Sequence, residues 1–154
     1  MKIPVVWKAD HVHKRACIKH ILTGLQKGQN ATGGHYRVWE DLWEVLALML
    51  VCKATPRQFG FTSVRHIFEV AMKSLANYAQ YIQKDLQKME ADRVKMRAEL
   101  MSTEPGFELF AVEMENDVAS IDQRIHAASE QLKTLASKHA HLERIMSQLK
   151  VHLN

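Results

Sequence analysis

Three residues near the start of the chain, His13, Cys17 and His20, have the chemistry and spacing to hold a metal. Steps of four and three put them on one side of a helix. Imidazole and thiolate are ligands that zinc accepts at tetrahedral geometry, and His35 or Cys52 could supply a fourth donor. The usual zinc signatures join two paired ligand sets, however, and here a single cluster stands alone. The expectation is no metal and no cofactor: a partly buried thiol beside two solvated histidines.

A second stretch, Gly28 to Gly34 followed by His35, has the glycine content of a phosphate loop. It lacks the Lys-Ser/Thr pair that touches phosphate and metal, and a helix rather than a strand precedes it, which argues against nucleotide hydrolysis. An anion seat remains. The free N–H groups of a helix beginning near His35 would lie beside Gly33, Gly34, Lys27 and Arg37.

Charge extends this reading. Residues 1–60 hold nine Lys/Arg against four Asp/Glu, whereas residues 61–154 hold twelve against thirteen. The candidate anion or nucleic-acid ligands are Lys8, Lys14, Arg15, Lys19, Lys27, His35, Arg37 and Arg57. Lys14, Arg15 and Lys19 lie close together on the first helix. No helix has a recognition-helix pattern, so nucleic-acid contact would be directed at the backbone. No Ser/His/Asp or Cys/His triad is discernible, and the carboxylates fall on helix flanks, so no enzyme is expected.

The elements that must position these groups are legible from periodicity. Phe68, Met72, Leu75, Ala79, Ile82, Leu86, Met89, Arg93, Met96 and Leu100 form one unbroken heptad run. Phe107, Ala111, Met114, Val118, Ile121, Ile125, Ala128, Leu132, Leu135, His139, Leu142, Met146, Leu149 and Leu153 form another. Alternating steps of four and three are the period of helices wound around each other. Between the runs lies Glu104-Pro105-Gly106, a turn.

Four helices are expected, over about 10–27, 35–53, 63–101 and 107–153, with Asp10 capping the first and Thr62 or Ser63 the third. Residues 1–8, with Trp7, read as a short extended arm, and Thr55-Pro56 as a break with a short turn. A short connection makes the long helices antiparallel, setting Leu100 opposite Phe107 and Leu75 opposite Leu132. In that register Arg93 on the seam reaches Asp117 or Glu115, Arg97 lies beside Glu108, and Asp85 beside Arg124. The apolar face of the third helix is broad from Val64 to Ile82 and narrow thereafter. The expected fold class is therefore all-α: a four-helix head, two shorter N-terminal helices packed on the base of a long antiparallel coiled-coil hairpin, with a projecting two-helix arm. Residues 1–60 are the basic head segment and 61–154 the hairpin, within one structural domain.

Trp39 and Trp43 share a helix face and read as core, and His139 as a packed seam histidine. Tyr78, Tyr81, Phe110 and Ile145 lie off the seam and are candidate partner-docking residues. Two cysteines in 154 residues do not suggest an oxidising compartment. No signal peptide is visible, no apolar run approaches a membrane span, and Asn30-Ala31-Thr32 reads as a chance glycosylation motif; the expected setting is cytoplasmic, with no membrane. The reading is a non-enzymatic helical interaction or adaptor protein. Its basic head meets nucleic acid, a ribonucleoprotein or an acidic protein surface, and its arm docks a protein partner. The alternative is a homodimeric coiled-coil scaffold without nucleic-acid binding. The chain is expected to be a monomer or a homodimer.

Overall fold

The computed structural model describes the backbone of residues 11–30 and 36–153 and the side chains of residues 12–30 and 36–149. The expected N-terminal arm with Lys8 and Trp7, the Asp10 cap, and residues 31–35 with His35 lie outside that range. The described chain is all-helical, without a strand. Helix α1 spans His11–Gln29, α2 Val38–Val51, α3 Val64–Met101 and α4 Glu108–Leu153, with a 3-10 turn over Pro56–Phe59 between α2 and α3.

Each helix forms where an apolar stripe can be buried. On α1, Ile18, Leu22 and Leu25 are buried and Ile21 packs beside them. On α2, Val38, Leu42, Val45, Leu48 and Met49 are buried. The sequence is apolar almost all round this helix, but its end is not enclosed: Leu50 is 81% exposed. Successive helical residues are turned by about 100°, so when Met49 faces the core Leu50 faces away from it.

The helix ends are set by local chemistry. Gly28 does not stop α1; it is buried within it, and the helix continues to Gln29. The final carbonyls of Gly28 and Gln29 accept hydrogen bonds from Asn77 Nδ2 on α3. These carbonyls have no intrahelical donor, so a tertiary contact rather than a left-handed glycine closes α1. After α2, Lys53 has a φ of 52°. The 3-10 turn begins with a capping box between Thr55 and Gln58 and ends at Gly60, whose φ of 85° favours glycine. Ser63 caps α3: its Oγ accepts from the His66 N–H at 3.2 Å, while His66 Nδ1 accepts from the Thr62 N–H at 3.1 Å.

One core joins all four helices, with Leu25, Leu42, Leu48, Phe61, Ile67 and Leu142 among its most enclosed side chains. The first part of α3 is buried on a wide face (Ile67, Phe68, Val70, Ala71, Ser74, Leu75); beyond it, Ile82 and Met89 alone among its residues are buried. The face narrows as expected, but after Leu75 rather than at Ile82, and Tyr81 is 50% exposed. Ser74 Oγ is buried without a hydrogen-bond partner, a cost of about 1–3 kcal/mol. Trp43 meets Phe68 of α3 edge-on at 5.9 Å, and Trp39 meets Trp43 at 5.4 Å and His141 of α4 at 5.8 Å. The two tryptophans thus pack at the flank of the core, half-buried, tying α2 to both long helices.

Along α3 and α4, Gln131 Nε2 donates to Tyr78 Oη, and both Arg93 and Arg97 reach Asp122, at 3.2 and 3.4 Å. Arg93 therefore does not pair with Asp117 or Glu115, nor Arg97 with Glu108. Helical side chains lean toward the N-terminus of their own helix. Arg93 leans back along α3 and Asp122 back along α4, so they meet about a turn away from where their Cα positions suggest. The seam histidine, His139, is half-buried and faces Glu143 at 3.3 Å. Phe107 does not enter the seam: it precedes α4 and is 59% exposed.

The Asn77 contact yields a test. Asn77→Ala should lower stability by about 1–2 kcal/mol. Asn77→Asp, which offers acceptors to carbonyls that need donors, should cost more. Denaturant melts of the two variants would check the order; equal stability of both with the parent would exclude a capping role.

Candidate functional site

Helices α1 and α2 enclose a cleft of about 720 Å³ lined by His13, Cys17, His20 and Lys27 from α1 and by Arg37, Asp41 and Glu44 from the start of α2. The structure thus brings the sequence-level metal candidates to the same cleft as two of the candidate anion ligands. It does not make them converge: among the described residues, no three His, Cys, Asp or Glu side chains are grouped closely enough to hold a metal. Residues 13 and 20 are seven positions apart on one helix, about 10 Å at 1.5 Å per residue, whereas a tetrahedral zinc needs all ligands within about 2.3 Å of one point. Cys17 is half-buried and Cys52 buried, both as free thiols.

Nor is this cleft a simple anion seat. Arg37 Nε lies 3.6 Å from Asp41 Oδ1, and Glu44 adds a second carboxylate to the lining. Lys27 and Arg37 share the lining with the carboxylates of Asp41 and Glu44, which offset their charge there.

The other cations gather on the opposite flank of α1. Arg15 Nη2 donates to Gln58 Oε1 at 3.0 Å, and the same oxygen accepts from the Thr55 N–H at 3.1 Å. This ties Arg15 to the 3-10 turn beside the exposed Arg57. Lys19 lines a neighbouring hollow with Thr23, Gln26, Gln58 and Phe59. Lys14 is half-buried on α1. The candidate basic residues are therefore divided: Arg15, Lys19 and Arg57 on one flank of α1, Lys27 and Arg37 on the other.

The candidate docking residues do not share a surface. Tyr78 is held by Gln131 as a tie between α3 and α4, and Ile145 packs against the core. Tyr81 and Phe110 are exposed. Phe110 and Ile145 are separated by 35 positions of one helix, about 50 Å.

Two features were not anticipated. A groove of about 580 Å³ between α3 and α4 is floored by Leu75, Leu132 and Leu135 and edged by Ala76, Ala79, Ala136 and Ala140. At the α3–α4 connection, Met101, Phe107, Leu109, Phe110 and Val112 are between 52% and 88% exposed. Two signals for the second feature were present in the sequence. Met101, Leu109, Phe110 and Val112 fall off the heptad seam, and residues 98–123 contain seven Asp/Glu without a Lys or Arg.

Comparison with protein-family models finds no match, and comparison with curated proteins and with solved structures finds none either. Among the described residues, no helix is long and apolar enough to cross a membrane.

The connection itself is organised by Glu108. Its carboxylate accepts from its own backbone N–H and from that of Gly106, the latter at 3.1 Å, and these bonds hold its pKa below the ordinary glutamate value of 4.5. Gly106, at a φ of 102°, occupies the left-handed region. A depressed pKa means that the bonds help the turn at neutral pH and are lost as pH falls through the folded-state value. An NMR titration should show the Gly106 and Glu108 amide resonances moving together with a midpoint below 4.5, and Glu108→Gln should abolish that step. A shared midpoint at or above the ordinary value would contradict the arrangement.

Proposed function

We propose that this protein is a non-enzymatic helical adaptor of one structural domain. In this reading α1, α2 and the base of an antiparallel α3–α4 hairpin make a four-helix head, and the rest of the hairpin projects as an arm. The head meets a polyanion, a nucleic acid or ribonucleoprotein, through the Arg15, Lys19 and Arg57 flank, and the arm docks a protein partner. Residues 1–60 would supply most of the basic surface and residues 61–154 the hairpin.

The observation that carries the reading is the Arg15–Gln58–Thr55 network. It holds a guanidinium next to Arg57 and near Lys19, and among the described residues no carboxylate pairs with Arg15 or lines the Lys19 hollow. The α1–α2 cleft, by contrast, is lined by two carboxylates. The meeting of Tyr78 with Gln131, and of Arg93 with Asp122, supports the hairpin, since later residues of α3 meet earlier residues of α4. Phosphate contacts by three cations would be independent of sequence.

Fluorescence anisotropy with labelled RNA and DNA duplexes tests the head. Three phosphate contacts imply that duplex DNA affinity falls roughly forty-fold between about 50 and 200 mM salt. Lys19→Glu with Arg57→Glu should abolish most of the binding. Absence of binding at the lower salt, or binding indifferent to the double variant, would reject the polyanion reading.

A second reading, a homodimeric scaffold, is favoured by the groove between α3 and α4, whose four alanines let a further helix approach closely and whose lining also carries Gln83, Lys133 and His139. It requires twice the monomer mass in sedimentation equilibrium, reduced to the monomer by Ala79→Glu with Ala136→Glu. A monomer across the accessible concentration range would remove it.

A further inference from the structure

We infer that the end of the arm, where α3 meets α4, is a docking surface for a cationic amphipathic segment of another protein, a helix carrying Arg or Lys beside apolar side chains. The inference rests on the reading of the α3–α4 hairpin as a docking arm and names the chemistry of its partner.

The apolar part of the surface is large for a place that no described residue covers. Met101 and Leu109 are 88% and 85% exposed, and Phe107, Phe110 and Val112 are each more than half exposed. Scattered apolar residues are ordinary on a protein surface, but five within twelve residues on either side of one turn make a patch of the kind that marks an interaction site. None is needed for the hairpin itself, because the seam near this end is made by Met96, Leu100, Ala111 and Met114, all at least half-buried.

Charge selects the partner. Residues 98–121 hold six Asp/Glu and no Lys or Arg; the next carboxylate, Asp122, is already taken up by Arg93 and Arg97. This field repels nucleic acid and anionic lipid and attracts a cation. The local shape agrees. Glu99, Glu104, Phe107 and Phe110 line one hollow of about 380 Å³ together with Ser102 and Thr103. Two aromatic rings with two carboxylates suit a guanidinium or ammonium group, which would lie against the ring faces and pair with the carboxylates. Leu109 and Val112, outside the hollow, remain for the apolar side chains of the same segment.

A second copy of the chain is a poorer occupant. The basic helix α1 spends its apolar stripe, Ile18, Leu22 and Leu25, in its own core. Among its described residues it leaves, beside Arg15 and Lys19, only Val12 as an exposed large apolar side chain, too little to cover a patch of five.

The experiment uses the full chain and a fluorescein-labelled peptide of Leu and Arg, patterned so that a helix presents Leu on one side. A scrambled peptide of the same composition and a Leu/Glu peptide serve as controls. The patterned Leu/Arg peptide should bind saturably, at least tenfold more tightly than the scrambled one, and the Leu/Glu peptide should not bind. Affinity should fall at least tenfold in Phe107→Ser with Phe110→Ser, and likewise in Glu99→Gln with Glu104→Gln. The glutamate pair is exposed, so that variant keeps the fold, as its helical circular dichroism would verify. The Lys19→Glu, Arg57→Glu variant should bind the peptide like the parent, so failure of the head reading leaves this result separate. The proposal is overturned by equal affinity for patterned and scrambled peptides, by full affinity in the glutamate variant, or by self-association of the parent that Phe107→Ser with Phe110→Ser abolishes.

Discussion

The first part of α3 cannot be left with one neighbour. Ile67, Phe68, Val70, Ala71, Ser74 and Leu75 face inward over far more of the helix circumference than a two-helix seam covers. A coiled-coil partner shields a stripe two residues in seven wide; the remainder must be covered by other elements or exposed at about 25 cal/mol per Å². α1 and α2 meet that need. Ile18, Leu22 and Leu25 from one, and Leu42, Val45 and Leu48 from the other, complete a core with α3 and with Leu142 of α4. Where the wide face of α3 ends, after Leu75, the demand for further helices ends too.

Polar groups follow from this packing. With α1 seated against α3, the last carbonyls of α1 come within reach of Asn77, which satisfies them from a neighbouring helix. The 3-10 turn presents Gln58 to Arg15 on the flank of α1. Farther along α3, Arg93 is accommodated in an apolar seam because Asp122 and the stagger of helical side chains give its head a partner, although its Nε is buried without one. Such a residue reduces stability relative to an apolar one while penalising shifted pairings.

The same geometry sorts the charged side chains that the functional proposals use. Lys27 and Arg37 are drawn into a cleft with Asp41 and Glu44, which offset their charge locally. Arg15, Lys19 and Arg57 keep theirs. At the α3–α4 connection Glu99, Glu104, Glu108 and Glu113 make no ion pair among the described residues, and Phe107 and Phe110 are exposed. The proposed adaptor role draws on this unlike chemistry at separate places on the chain.

Much of the fold was legible in the order of residues. Steps of three and four locate α3 and α4, Pro105-Gly106 the turn between them, and Thr62 or Ser63 the start of α3, because helix formation and capping are governed by neighbours within one turn. The gathering of His13, Cys17 and His20 on one helix side was legible for the same reason. Other matters depended on contacts between distant segments: that Asn77 closes α1, that Asp122 receives Arg93 and Arg97, that Asp41 and Glu44 share a cleft with Lys27, and that Phe107 remains exposed although it continues the heptad. Periodicity states which way a side chain points along its own helix. What it meets there is decided by which helices lie alongside and where they end, and that is a property of the packed chain.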